Sequence, residues 1–311
     1  MQNKVYIVGS EGWAGKTIKN KFCELGINVK CGDLAASSKD ECYDFSDNSA
    51  CREFFDDYRQ GDILISCMGI VHPKLLTSSF TSGNLYNNIK VISAFLERGD
   101  AQLYYLSSNS CFGFNESNRA FNEKSEYRPY QKYGRSKMQM EQWIQTNVQN
   151  YCILRVPWFH GPNMPSRQVT FYNKVATNKF PIFGSGNNKR SIVSTSTIAK
   201  AILAHRHKYT TGKYIYWLAD VTKTQYEINL NIFNCINSNR DRKFTPKYAS
   251  SYICFLCRKI DTLLQTIFLY NKIIHVIGEM DQDIFCETNL FQDEFPDFAF
   301  QSLSQIIEES K

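Results

Sequence analysis

The 311-residue chain lacks any stretch that reads as a membrane span. Such a helix needs about 20 mostly uncharged residues. The most apolar late stretch, Ser250–Gly278, is interrupted by Arg258, Lys259, Asp261 and Lys272. It reads as a helix packed in the core, with an interfacial helix as the alternative and no stable membrane insertion. No block of five or more like charges occurs and the net charge is only +6, so a nucleic-acid-binding tail is not indicated. Met1–Gly9 has no apolar signal region ahead of a cleavage site. The 11 cysteines are odd in number and scattered, without a disulfide framework, which points to a reducing cytoplasm. Cys254-Phe255-Leu256-Cys257 is a lone Cys-x-x-Cys. Structural zinc needs four ligands, so no metal is expected and the pair reads as buried helix. The 18 Tyr and 22 Phe are spread along the chain as core residues, not gathered into a base-stacking platform.

A hydrophobic fraction of 43% and a charged fraction of 21% are ordinary for a globular protein. Val5-Tyr6-Ile7-Val8 reads as a buried strand, followed by a helix from Ala14 to Leu25 and a strand from Ile27 to Cys31. Further strands are expected at Asp62–Cys67, Gln102–Leu106, Tyr151–Val156 and Tyr214–Leu218, and helices at Gly83–Arg98 and Tyr133–Val148. Strands alternating with helices indicate an α/β fold, a doubly wound parallel sheet. After Pro157 the pattern loosens, with a helix near Thr170–Asn178, a loop over Phe180–Asn188, and a short strand and helix in Ile192–Arg206. From about Thr222 the chain reads as mainly helical. The expected division is a dinucleotide-binding domain over 1–160, with return segments near 190–220, and a smaller substrate lobe from 161–189 and 221–311.

Gly9-Ser10-Glu11-Gly12-Trp13-Ala14-Gly15 joins the first strand to the first helix. Glycines here permit a tight turn and let backbone approach a pyrophosphate at the helix N-terminus. Gly9, Gly12, Trp13 and Gly15 are therefore candidate cofactor contacts. Asp33 ends the second strand, 24 residues after Gly9. A carboxylate there can accept from both ribose hydroxyls and would repel a 2′-phosphate, favouring NAD over NADP. Asp44 and Phe45 are candidates to flank the adenine, and Cys67-Met68-Gly69 to press backbone against the cofactor. Tyr133 and Lys137, at i and i+4, share one helix face. An ammonium beside a phenol favours the phenolate, so Lys137 is expected to draw the Tyr133 pKa down from about 10 towards neutrality. Such a tyrosine can exchange a proton with a sugar hydroxyl. Ser108, at the end of the Gln102–Leu106 strand, is placed to bond the reacting oxygen.

The glycine motif, Ser108 25 residues before Tyr133, and the Tyr-x-x-x-Lys pair together resemble the extended short-chain dehydrogenase/reductases, which include NAD-dependent nucleotide-sugar epimerases and dehydratases. The resemblance covers the chain to about residue 205. It implies a nucleoside-diphosphate-sugar epimerase working at C4 through a 4-keto sugar, in nucleotide-sugar metabolism of the kind that feeds polysaccharide assembly, with a helix-paired homodimer common among relatives. Arg155-Val156-Pro157-Trp158-Phe159-His160-Gly161-Pro162 resembles a family segment that puts Pro157 near the nicotinamide. Arg190, after Phe183-Gly184-Ser185-Gly186, resembles the family's diphosphate-binding arginine. Ser108, Asn109, Trp158, His160 and Arg190 are thus expected against the substrate. The 4,6-dehydratases carry Thr-Asp-Glu where this chain has Ser108-Asn109-Ser110, so dehydration is disfavoured. Trp158 resembles the tryptophan of deoxysugar 4-ketoreductases and keeps a reductase using NAD(P)H as the alternative. A non-catalytic NAD-binding scaffold is the third reading.

Overall fold

Val5–Val8 (β1) is an unbroken apolar run with all four residues buried, as expected of a strand covered on both faces. The computed structural model describes residues 3–99, 102–116 and 118–311. Strands Val29–Gly32 (β2), Ile63–Ser66 (β3), Leu103–Leu106 (β4), Tyr151–Arg155 (β5) and, later in the chain, Lys213–Trp217 (β9) join β1 in one sheet. Their order is β2-β1-β3-β4-β5-β9 and every pairing is parallel. Chain direction across the sheet reverses between β1 and β3, which opens a crevice at the strands' C-terminal ends. The fold class read from the sequence is the one observed.

Alternation along β1 feeds two cores. Val5 and Ile7 pack with Ile18 and Phe22 of helix Trp13–Glu24 (α1) and Ile198 and Ile202 of helix Thr195–Lys208 (α7). Tyr6 and Val8 pack on the other face with Cys51 of helix Asn48–Glu53 (α2), Phe95 of helix Asn87–Leu96 (α4) and Ile144 of helix Gln131–Asn147 (α5). The short helix Ser78–Thr81 (α3) runs through a π-turn, Ser82–Tyr86, into α4, so that helix begins earlier than its sequence suggested.

Three features after Pro157 differ from expectation. Trp158–His160 (β6), Lys189–Ser194 (β8) and Val221–Thr224 (β10) form a separate three-stranded sheet in the order β10-β8-β6. Ile182–Phe183 (β7) pairs with Tyr248–Ala249 (β11) beside helices Ser166–Ala176 (α6) and Gln225–Ile236 (α8). Helix Asn289–Glu294 (α11) lies in the stretch assigned to the substrate lobe, yet Phe291 and Phe295 belong to the β1–α1–α7 core, while helix Leu303–Glu309 (α12) packs on α8 through Ile306 and Ile307.

Helix Ser251–Thr266 (α9) departs furthest. It buries Cys254, Asp261 and Gln265 and exposes Ile253, Leu256, Ile260 and Leu263. It was expected to pack its apolar side inward. The inward side is instead polar because its groups find partners: the Gln265 amide donates to Asp261, Asp261 meets His275 of helix Lys272–Glu279 (α10) at 2.8 Å, and the Lys132 N–H donates to Gln265.

Candidate active site

The glycine turn follows β1 directly. Gly9 has φ +76°, and a Cβ there would lie 2.8 Å from the Met68 nitrogen. A Cβ on Gly15 would lie 2.1 Å from the Gly9 carbonyl oxygen. Only glycine fits at these points, so backbone N–H groups stay open at the start of α1. The Ser10 hydroxyl is fully buried with no hydrogen-bond partner among the described residues. Asp33, at the end of β2, accepts from the Glu11 N–H at 3.1 Å and the Ala35 N–H at 2.8 Å, tying the second strand to the turn. Its remaining lone pairs are free for hydroxyl donors.

Asp44 is exposed and accepts from the Ser46 N–H at 2.9 Å. Phe45 is buried against Phe54 and under Gly32, so its ring is core and only its backbone is available to a ligand. Asp44 and Phe45 can flank an adenine only through the Asp44 side chain and the Phe45 backbone. Cys67, Met68 and Gly69 follow β3, and a Cβ on Gly69 would come within 3.3 Å of the Lys137 nitrogen.

On α5, Tyr133, Lys137 and Glu141 are spaced four apart and face the sheet. Gly134 makes the close approach possible: a Cβ there would lie 2.1 Å from the Ser110 carbonyl oxygen. The Lys137 ammonium is buried and donates to the Leu106 carbonyl at 2.9 Å and the Met68 carbonyl at 3.4 Å. Burial lowers its pKa to about 8. Burial pushes the Tyr133 phenol up to about 12, with the neighbouring Ser108 hydroxyl and, more weakly, Arg167 pulling it down. The expected drop towards neutrality under Lys137 is thus not what the structure gives. The lysine's charge is spent on strand-end carbonyls, and desolvation of the phenolate dominates. The Ser108 hydroxyl accepts from the Ser110 N–H at 3.1 Å and donates to the Asn109 side-chain Oδ1 at 3.2 Å.

Ser108, Asn109, Tyr133, Pro157, Trp158 and Arg190 all line one cavity of about 410 Å³, whose wall includes Trp13 beside the glycine turn. Trp13 donates its indole N–H to the Pro162 carbonyl at 2.7 Å. Arg190, on β8, reaches the cavity with one guanidinium nitrogen bonded to the Glu279 carbonyl. Trp158 is braced by Phe171 at 5.3 Å. His160 does not join them. It is fully buried, bonded to the Tyr172 hydroxyl at 2.7 Å, and burial lowers its pKa to about 3. Its expected contact with substrate is corrected to a core role behind Trp158.

The cavity also brings in residues that sequence spacing did not single out. Arg167 at the start of α6 has no hydrogen bond or ion pair among the described residues. His72 lies against Tyr270 at 2.5 Å and burial lowers it to about 3. On α10, His275 is held by the fully buried Asp261 and faces Glu279. Burial works against its charged form, but Glu279 and Asp261 outweigh that and hold it above its ordinary value. The His275/Glu279 spacing of i and i+4 was the only local signal for this group.

A model of the NAD dependent epimerase/dehydratase family matches residues 5–219. The protein y4nL of Sinorhizobium fredii is 36% identical over 241 residues, 73% of this chain and 66% of its own length. This chain therefore spans just under two thirds of that relative. Methionine adenosyltransferase 2 subunit beta of Xenopus laevis is 23% identical over 255 residues, 75% of this chain and 72% of its own length. The Bordetella bronchiseptica enzyme WbmG, solved in complex with NAD and UDP, shares the fold with a TM-score of 0.75 at 14% identity, covering 100% of this chain and 94% of that one.

Proposed function

The chain belongs to the NAD-dependent epimerase/dehydratase family, and from that premise we propose that it is an NAD-dependent nucleoside-diphosphate-sugar epimerase acting at C4. The observation that carries this reading is the convergence of Ser108, Tyr133, Pro157, Trp158 and Arg190 on one cavity of about 410 Å³ at the C-terminal ends of β4 and β5. The glycine turn, the unpartnered Ser10 hydroxyl, Asp33 and the buried Lys137 ammonium fit a dinucleotide. A carboxylate at Asp33, at the end of β2, would repel a ribose 2′-phosphate held there, which supports NAD over NADP. WbmG, solved with NAD and UDP, supports a dinucleotide and a nucleotide-linked substrate on this fold. In this reading the sheet, α1–α5 and α7 hold the cofactor, and the β6–β8–β10 sheet with α6 and α8–α10 closes over the sugar.

Bound NAD supplies the hydride acceptor, and later the donor. Tyr133 would take the 4-hydroxyl proton as its phenolate, a form that burial disfavours in the pocket without its cofactor and that the positive charge of a bound oxidised nicotinamide would favour, and the sugar would become a 4-ketone. Ser108 donates to the ketone oxygen and fixes its distance from Tyr133. Lys137 would hold the cofactor's ribose hydroxyls, and Arg190 would grip the diphosphate with a planar fork of donors. Tyr133 would return the proton when the turned-over 4-ketone is reduced on its opposite face, so the net reaction would consume no cofactor. Removing the phenol oxygen in Tyr133→Phe is expected to lower turnover about 10²–10⁴-fold. The assay is a panel of nucleotide sugars with products resolved by NMR, with and without added NADH. Full turnover by Tyr133→Phe on the true substrate would end the acid/base assignment.

Trp158, braced by Phe171 in the cavity wall, favours a second reading as a 4-ketoreductase. That enzyme would oxidise added NADH in step with product, whereas an epimerase would not. A non-catalytic scaffold, the class suggested by a relative called a subunit, accounts less well for retaining Tyr133 and a buried Lys137.

A further inference from the structure

Helix α9 is amphipathic in the inverted sense. Ile253, Leu256, Ile260, Leu263 and Ile267, spaced three and four apart, are 45, 41, 45, 64 and 57% exposed. The opposite side carries Asp261, fully buried, with Gln265 and Cys254. A helix that belonged wholly to the protein core would turn the isoleucines and leucines inward. The apolar surface continues beyond the helix. Phe268 is 61% exposed and Ile273 on α10 is 69% exposed. The loop carrying Leu75 and Leu76, 57 and 51% exposed, is stitched to them by Tyr270 N–H to Leu75 carbonyl (2.8 Å) and Thr77 N–H to Phe268 carbonyl (3.0 Å) bonds. Exposed apolar surface this continuous on a globular domain marks an interaction site.

Charge identifies the occupant. Over residues 251–278 the chain has three Lys or Arg and one carboxylate, the buried Asp261; Arg258 is paired with Asp281, which leaves Lys259 and Lys272 as the cations without a carboxylate partner among the described residues. Lys74 adds a cation on the adjoining loop, and residues 70–76 hold no carboxylate. Lys259 and Lys272 are exposed at the border of the apolar face, and Lys132 lies 3.7 Å over the Phe268 ring. A second copy packed about a two-fold axis would bring this cationic patch against the same patch, and neither α9 nor residues 70–76 carries an exposed carboxylate to answer it. An anionic lipid surface answers both the apolar stripe and the cations. At 16 residues α9 is about 24 Å long, and no helix among the described residues is long and apolar enough to cross a membrane. It can lie in the headgroup boundary.

We propose that the outer face of α9, with Phe268, Ile273 and the Leu75–Leu76 loop, docks this protein on an anionic bilayer surface. The two segments that complete this face also line the candidate active-site cavity through Val71, His72, Lys272 and His275. Docking therefore holds that cavity at the membrane boundary. The inference does not depend on which reaction the cavity carries out.

The test is co-sedimentation of the full chain with phosphatidylcholine vesicles, with and without phosphatidylglycerol. Binding is expected to rise at least about tenfold with the anionic lipid and to fall as salt is raised. Leu263→Gln/Ile267→Gln is expected to lower binding about tenfold by removing apolar contact, and Lys259→Glu to lower it several-fold on anionic vesicles only. Both variants alter exposed side chains, and unchanged circular dichroism and thermal midpoint will show that they fold. No partitioning of the parent chain onto anionic vesicles overturns the proposal. So does a concentration-dependent dimer in sedimentation velocity that Leu263→Gln/Ile267→Gln abolishes, since a second copy would then own the face.

Discussion

Replacing Glu141 by glutamine tests how the candidate active site is held in place. Glu141 is fully buried on α5, two turns beyond Tyr133. Its Oε2 accepts from Arg155 Nη2 at 2.9 Å, Arg155 Nε at 3.1 Å and the Tyr127 hydroxyl at 2.6 Å. Its Oε1 accepts from the Ser107 hydroxyl, on the residue before Ser108. Arg155 is 4% exposed, its guanidinium 4.6 Å from the Phe112 ring and 5.8 Å from that of Trp217, so water has little room to replace a lost partner. Glu141→Gln keeps the shape and deletes the charge, leaving a buried guanidinium uncompensated. Breaking such a pair costs about 3–5 kcal/mol. At about 2–4 °C per kcal/mol for a large domain, the thermal midpoint should fall by roughly 6–20 °C. Glu141→Gln/Arg155→Met removes both charges and should recover much of that loss, a coupling that a double-mutant cycle reads directly. The assay is thermal and urea unfolding followed by circular dichroism. A midpoint change below about 2 °C in the single variant, or a double variant as damaged as the sum of the singles, would refute the pair as a tether between α5 and β5.

Two further outcomes follow from the packing. Gly15→Ala puts a methyl group 2.1 Å from the Gly9 carbonyl oxygen, so the turn must open; dinucleotide binding measured by calorimetry should fall at least about tenfold, and unchanged affinity would exclude the turn as the cofactor cradle. Burial lowers His160 to about 3 and His205 to about 4 from 6.5. Both are neutral in the fold, so the unfolded chain protonates first as pH drops; the stability they confer is present above about 6.5 and is lost towards the folded values. At pH 5 each should cost about 2 kcal/mol. Urea midpoints at pH 7 and 5 check this, and His160→Asn should flatten the slope; an unchanged slope would refute the burial argument for His160.

Legibility in the sequence followed locality. β1, β3, β4 and β5 announced themselves because interior parallel strands are covered on both faces and need continuous apolar runs. β6 and β10 did not. They are three and four residues long, mixed in character, and exist through pairing with β8, which is remote in sequence. The same contrast holds in the site. Tyr133 and Lys137 share a helix face, and Ser108 ends a recognisable strand. Arg167 and His275 arrive from separate helices after Pro157, and no spacing links them to Tyr133. His160 turned into the core, as did the Phe45 ring, because a position beside a motif does not say which way a side chain turns. Composition marked Ser250–Gly278 as an apolar stretch, read as a core helix, but could not tell which side of α9 faces the protein. That depended on whether Tyr130, Lys132 and His275 would supply partners for Asp261 and Gln265.

The spacing of Tyr133, Lys137 and Glu141 explains why a costly arrangement persists. All three lie on one side of α5, and that side is pressed on the sheet, where a stable helix would ordinarily place leucines. Met140 and Ile144 supply what apolar packing the helix has there. Each polar group is instead matched to a strand end. Tyr133 meets Ser108 beyond β4, Lys137 donates to the Leu106 carbonyl at the end of β4, and Glu141 pairs with Arg155 at the end of β5. Burying the row costs desolvation three times over. In return, rotation or sliding of α5 by one residue would break all three matches together. The helix is thereby locked in one register, with its phenol facing the cavity and its ammonium facing the glycine turn's side of the crevice. An apolar stripe at the same positions would make a more stable helix with nothing to fix where its first turn points.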